Sequence, residues 1–254
     1  MFGVAQHLNT WMSFDIGRSR VALPNADMEL PSPRSGDATT ELLALLPFSR
    51  DLDPNAMTNV ESLELALNKV LDRSHSIRPT ILAQTNLMLT ICRRLRTLNH
   101  SIAGDLSNKV LGLTVLAIRS VESMVETNDP WNHVVNIPFQ VICMMLSLDT
   151  PAAIAQLPPA VKCLRNVAAV YPTNATQEAL RTACLLISLH QKRKEADSKA
   201  LLDVVQFYSP TAASDYSAFA TSRTGDDNVD FDWLSDLVPG LHDFQPVDWD
   251  TFVQ

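Results

Sequence analysis

Residues 105–126 read DLSNKVLGLTVLAIRSVESMVE, and this stretch decides the fold class. Leu106, Val110, Leu113, Leu116, Ala117, Val121 and Met124 recur at three- and four-residue intervals, the period that places side chains on one face of an α-helix. No two-residue alternation competes with it. The stretch predicts an amphipathic helix from Asp105 to Glu126 with one face in a core.

The same pattern extends in both directions. Upstream, Thr58-x-x-Glu61 has the form of a capping box, in which a hydroxyl and a carboxylate each satisfy an orphan backbone N–H. It opens a predicted helix with Leu63, Ala66, Leu67 and Val70 on one face. Pro79 suits the first turn of the next helix, which carries Ile81, Leu82, Leu87, Met88, Ile91, Cys92 and Leu95. Arg93, Arg94 and Arg96 close that helix, where positive charge favours the C-terminal dipole. Dipole pairing on a solvated face accounts for them better than contact with DNA does.

Downstream, Asp129-Pro130 reads as a cap followed by proline at the first helical position. Trp131 to Leu148 is nearly continuous in apolar residues, so this helix is expected to be central and kinked at Pro138. Thr150-Pro151 repeats the cap-plus-proline signal, and Pro158-Pro159 is expected to interrupt the segment it opens. Thr176 opens a long helix through Ala179, Leu180, Ala183, Leu186, Ile187 and His190, continuing to about Phe207. At the other end, residues 2–14 read as the last turns of a helix, with Val4, Leu8, Trp11 and Met12 on one side. A tryptophan-bearing helix there suggests a chain that begins inside a larger domain. Residues 17–40, broken by Pro24, Pro31 and Pro33, read as a loop. The expected fold is all-α: an irregular helical bundle over residues 1–207, a linker at 208–224 and a disordered acidic tail at 225–254.

Composition agrees. The chain has 254 residues, 46% of them apolar, and only seven glycines, which suits helices better than a turn-rich β-sandwich. No apolar stretch reaches the 18 residues of a membrane span, so the expectation is a soluble intracellular protein. Its four cysteines, Cys92, Cys143, Cys163 and Cys184, are scattered through apolar helical contexts without a C-x-x-C pair, which predicts buried free thiols.

Charge is distributed unevenly. Twenty-eight acids face 20 bases for a net charge of −8, and no base follows Arg223. Beyond it come Asp226, Asp227, Asp230, Asp232, Asp236, Asp243, Asp248 and Asp250, so the acidic block accounts for the whole deficit. Interleaved with these aspartates are Phe231, Trp233, Leu234, Leu237, Phe244, Trp249 and Phe252. Carboxylates at that density keep rings and leucines in water and available to a shallow hydrophobic groove on another protein. The competing reading has Trp233, Leu237 and Trp249 docking on the chain's own helices.

Candidate chemistry is sparse. Asp226-Asp227-Asn228-Val229-Asp230 matches the D-D-x-x-D form that holds magnesium against a diphosphate, but it sits in the acidic tail with no room for a second metal motif. It reads as a chance match. His133 lacks a carboxylate at helical spacing and reads as a structural histidine at a helix N-terminus. No Gly-rich phosphate loop or G-x-S-x-G elbow is present, and no enzyme activity is expected.

Several runs then resemble a known family. Met12 to Val21 with Gly17-Arg18, followed by Leu30-Pro31, is similar to a stretch of the fungal transcription factor regulatory domain, with Ser19 in place of the usual proline. Leu87 to Leu98 resembles that family's Leu-x-x-Arg-Arg-Leu-Arg segment. Most specific is Asp129 to Cys143, which resembles the Pro-Trp-x-His-x-x-Asn-x-Pro-Phe-Gln-x-x-Cys run of a filamentous-fungal branch. Leu148-Asp149-Thr150, the charged cluster Lys192-Arg193-Lys194-Glu195 and a closing Asp248-Trp249-Asp250-Thr251-Phe252 continue the likeness. The resemblance spans most of residues 5–205.

It implies the regulatory domain of a zinc-cluster transcription factor, nuclear, with an activation segment contacting a coactivator or the general transcription machinery. It leaves room for a homodimer. The family's six-cysteine binuclear zinc cluster has no counterpart here, so neither zinc nor direct DNA contact is carried over to any residue. The alternative is a metabolite-sensing or repressor module without its own DNA binding.

Overall fold

The computed structural model describes residues 2–16, 21, 31–32, 34–52 and 59–208, and among them there is no β-strand. The fold is all-α. In chain order the helices are α1 (Phe2–Ile16), α2 (Thr39–Leu45), α3 (Val60–Leu71), α4 (Arg78–Thr97), α5 (Gly104–Glu126), α6 (Asn132–Leu148), α7 (Pro151–Ile154), α8 (Leu157–Val170) and α9 (Asn174–Tyr208). A 3-10 segment, Leu46–Leu52, continues directly from α2. The chain divides into two compact units, Met1–Ala183 and Cys184–Gln254, with the division falling inside α9.

Within the first unit, α4 is the element around which the others assemble. It packs against α3, α5 and α6 and against α2 with its 3-10 extension. Every residue from Thr80 to Leu89 is buried, so α4 has no solvent face over almost three turns. The expectation that α6 is central holds, with α4 the more completely buried of the two. α6 lies against α4, α5 and α8 but keeps Asn136 exposed. The sequence conceals the depth of α4 because Thr80, Gln84, Thr85 and Asn86 give it a polar look. Part of that polarity is spent locally. Gln84 Nε2 donates to the carbonyls of Val70 (2.7 Å) and Arg73 (2.9 Å), capping the end of α3, and Thr85 Oγ1 donates to Ile81 O (2.8 Å).

The expected core positions of α3 and α4 are all buried. In α5, Val110, Leu113, Ala117, Val121 and Met124 are buried, but Leu116 is exposed and Leu106 half-buried. In α1, Trp11 is buried while Leu8 and Met12 face solvent.

Helix ends obey rules that the sequence shows only in part. Asn59 caps α3, its Oδ1 accepting from Ser62 N at 2.8 Å, while Thr58 of the expected capping box lies outside the described residues. Asp129-Pro130 does not open α6, which begins at Asn132 after Trp131. Instead the N–H of Asp129 bonds to Met124 O (2.9 Å) and that of Asn128 to Val125 O (3.1 Å), closing α5. Asn128 holds φ 50° to do so, and Asn99 (φ 57°) and Asp149 (φ 52°) close α4 and α6 in the same left-handed conformation. In a chain with few glycines, Asn and Asp take the position that glycine usually fills. Thr150 caps α7 as expected, its Oγ1 accepting from Ala153 N at 3.2 Å. Pro158-Pro159 starts α8 rather than interrupting it, because proline's missing N–H costs nothing in a first turn.

Candidate interaction surface

The residues expected to contact a partner, Phe231, Trp233, Leu234, Leu237, Phe244, Trp249 and Phe252, lie outside the described residues, as does Asp226-Asp227-Asn228-Val229-Asp230. The described element that leads into them is α9.

Its start is fixed tightly. Thr173 Oγ1 accepts from Thr176 N (3.1 Å) and Thr176 Oγ1 accepts from Thr173 N (3.0 Å), a reciprocal cap built from two threonines. Gln177 Nε2 donates to Ala168 O at 3.0 Å, tying this turn to α8. Leu180, Ala183, Cys184 and Ile187 are buried. Then the character changes. From Gln191 to Phe207 every residue is exposed, on all sides of the helix.

That exposed length combines two features. Lys192, Arg193, Lys194 and Lys199 form a basic stretch broken by Glu195 and Asp197, with Gln191 Nε2 bonded to Glu195 Oε1 at 3.0 Å. Beyond it Leu201, Val204 and Val205 fall on one face at i, i+3, i+4 spacing, and Leu201 is 68% exposed. A single exposed leucine needs no explanation, but a contiguous apolar stripe beside a basic stretch has the make-up of a contact surface.

The other groups with chemical potential are tied into the fold. The His133 ring is buried at the start of α6, its centroid 5.2 Å from that of Trp11 on α1 and 6.4 Å from that of Trp131. It packs as part of an aromatic cluster. Arg96 Nη1 donates to Ser147 O (3.2 Å) in the last turn of α6, and Arg93 Nη2 donates to Thr90 Oγ1 (3.0 Å). Those two arginines of the run therefore bind the chain's own turns, in line with a structural role.

All four cysteines are free, and burial pushes every one of their thiols upward, those of Cys92 and Cys163 to about 12. A thiol held protonated is neither nucleophile nor metal ligand. Four such residues, placed singly on α4, α6, α8 and α9, do not fit a six-cysteine zinc cluster. Among the described residues no group of three or more His, Cys, Asp and Glu converges to hold a metal ion. No described helix is long and apolar enough to cross a membrane.

Comparison with known proteins bears on this arrangement. The chain is 42% identical to Protein RDR1 of Gibberella zeae over 253 residues, which is all of this chain and 46% of that protein. It is 36% identical to transcription factor kojR of Aspergillus flavus over 245 residues, 92% of this chain and 44% of the relative. It is a relative of a fungal transcription factor. Protein RDR1 of Saccharomyces cerevisiae matches at 28% identity over 201 residues, 79% of this chain and 36% of that one. The chain thus spans about half the length of the first two relatives. No protein-family model matches it, and no solved structure does.

Proposed function

We propose that the chain is a regulatory and activation portion of a fungal zinc-cluster transcription regulator, working in the nucleus through protein–protein contact and without catalysis. The observation that carries this is the 36% identity to transcription factor kojR across 92% of the chain. The placement of charge supports it: a helical body, an exposed basic-apolar helix, and then a tail with eight aspartates and no base after Arg223. A tail of that sign repels nucleic acid and suits a protein partner.

In this mechanism the carboxylates keep Phe231, Trp233, Leu234, Leu237, Phe244, Trp249 and Phe252 hydrated until a coactivator groove takes them, with ordering coupled to binding. Reading of DNA falls to residues other than these, because the chain's cysteines do not make a zinc cluster. The test is a reporter assay with residues 208–254 fused to a foreign DNA-binding domain. Activation is expected, with loss of most of it in Trp233→Ala plus Trp249→Ala. A silent wild-type tail, or a double variant as active as wild type, contradicts the mechanism.

A further inference from the structure

We propose that Ser76 is a phosphate-acceptor site for a serine/threonine kinase that recognises arginine, and that its phosphate draws Arg73 away from Phe48. This stands independently of what the tail contacts.

Register narrows the choice of acceptor first. A kinase of this kind grips an arginine three residues before the acceptor in an acidic subsite and binds the substrate chain extended. In the whole sequence only Arg73-x-x-Ser76 and Arg94-x-x-Thr97 place a lysine or arginine three residues before a hydroxyl.

Conformation then separates the two. Thr97 is in the last turn of α4, its Oγ1 donating to Arg94 O at 2.7 Å, so a core helix would have to unwind to enter a kinase cleft. Arg73 to Ile77 lie outside any helix, between the end of α3 and the start of α4. Ile77 has extended backbone, φ −88° and ψ 119°. His75 turns inward, Nδ1 3.2 Å from Glu41 Oε2, while Ser74 and Ser76 on either side of it are exposed. That alternation is the signature of an extended chain. Arg73 is exposed as well, so the segment presents the recognition residue and the acceptor hydroxyl together.

The charge around Ser76 suits what a phosphate brings. A phosphoserine carries about −1.5 to −2 charges near neutral pH and three strong acceptor oxygens. Arg73 and Arg78 flank the position, both exposed. The acids beside the loop are already engaged, Asp72 by Lys109 Nζ at 3.1 Å and Glu41 by His75. Arg73 holds its Cζ 4.9 Å from the centre of the Phe48 ring, in the 3-10 segment after α2. A guanidinium–phosphate pair, charged on both sides and able to form two hydrogen bonds, outcompetes a cation–π contact at an exposed site. Modification therefore loosens the loop's hold on the 3-10 segment.

The transfer is ordinary phosphoryl chemistry with ATP as donor. Ser76 Oγ bonds to the γ-phosphorus as the bond from that phosphorus to the departing ADP oxygen breaks, and the hydroxyl proton passes to the kinase's carboxylate base.

The test uses the folded full chain with magnesium-ATP and the catalytic subunit of the cyclic-AMP-dependent protein kinase, an enzyme of this preference. A single phosphate is expected in wild type, Ser74→Ala and Thr97→Ala, and none in Ser76→Ala. Arg73→Gln should slow labelling about tenfold or more. Label that persists in Ser76→Ala, or a folded wild-type chain that takes no phosphate, overturns the acceptor assignment. Hydrogen exchange of the amides of residues 42–49 reads the coupling, with exchange in α4 followed to show that the fold is retained. Those amides should exchange about two- to fivefold faster after phosphorylation, and unphosphorylated Arg73→Gln should match that rate. Unchanged exchange on phosphorylation would mean that Arg73 stays on Phe48, which sinks the coupling.

Discussion

Two helices of this chain are held in opposite ways. Thr80 to Leu89 of α4 has no solvent face, whereas every residue from Gln191 to Phe207 of α9 is exposed. Their compositions are matched to this. α4 is rich in β-branched and small polar residues that favour helix weakly, namely Thr80, Ile81, Thr85, Asn86, Thr90 and Ile91, and it is packing that keeps it helical. The end of α9 runs through Gln, Lys, Arg, Glu, Ala and Leu, strong helix formers that need less help from neighbours. An element kept helical without a packed face is free to present one to a partner.

The largest expected effect probes this contrast directly. Leu87 is fully buried in α4, so Leu87→Ala should destabilise the protein by about 2–5 kcal/mol through lost burial and the cavity left behind. Leu201→Ala removes the same atoms from an exposed site and should change global stability by less than about 0.5 kcal/mol. Urea unfolding of the two variants side by side is the measurement. Equal losses would mean that Leu201 is packed as a core residue.

The next effect concerns a place where the packing of α4 is not matched by hydrogen bonding. Both polar atoms of the Asn86 side chain are buried and without a partner. Leucine has the same number of side-chain heavy atoms and the same branching, with nothing to desolvate. Asn86→Leu should therefore stabilise the protein by about 1–3 kcal/mol, read as a higher urea midpoint at unchanged slope. A loss of stability would show that a buried water satisfies the amide.

How far the sequence reveals this contrast can be judged residue by residue. Helical period finds α3, α4, α5 and α9, because apolar residues at three- and four-residue spacing have one simple structural use. It cannot rank the helices by depth. α6 looks more apolar, but α4 hides Gln84 by turning it onto the carbonyls ending α3. That is a tertiary contact with no sequence signature. The short α2 and its 3-10 extension, with Leu43, Leu45 and Leu52 buried, are too short to register as a period. Cap signals are ambiguous in direction: Asp129 resembles the cap of the next helix but closes the previous one. The tail's chemistry is legible from composition alone, while the exposure of α9 beside it is not, since no sequence pattern distinguishes a stripe that is covered from one that is open.

A smaller effect tests the closure of α5. Asn128 holds φ 50°, a conformation that costs alanine about 1 kcal/mol more than asparagine and that glycine adopts freely. Asn128→Ala should lower stability by about that amount, and Asn128→Gly should leave it nearly unchanged. Thermal unfolding of the pair distinguishes conformational strain from a lost side-chain contact, since a contact would be lost in both.

The smallest effect is one of pH, and its sign is not obvious from geometry. His75 Nδ1 lies 3.2 Å from Glu41 Oε2, an arrangement that by itself favours the charged ring. Yet the His75 side chain is only 6% exposed, and its buried Nε2 has no partner. Burial outweighs the carboxylate and, helped by the nearby Arg73 charge, lowers the pKa of the ring below its usual value. In the unfolded chain the ring takes up its proton near pH ~6.5. As pH falls from there towards the lower folded value, the unfolded state therefore binds more protons, and stability is lost on acidification. Relative to His75→Gln, wild type should lose melting temperature between about pH 7.5 and 5.5, with the difference levelling off once the folded ring is also protonated. If wild type instead gained on the variant as the pH fell, the Glu41 pair would outweigh burial, and the junction between α2 and the α3–α4 loop would be held by charge rather than by packing.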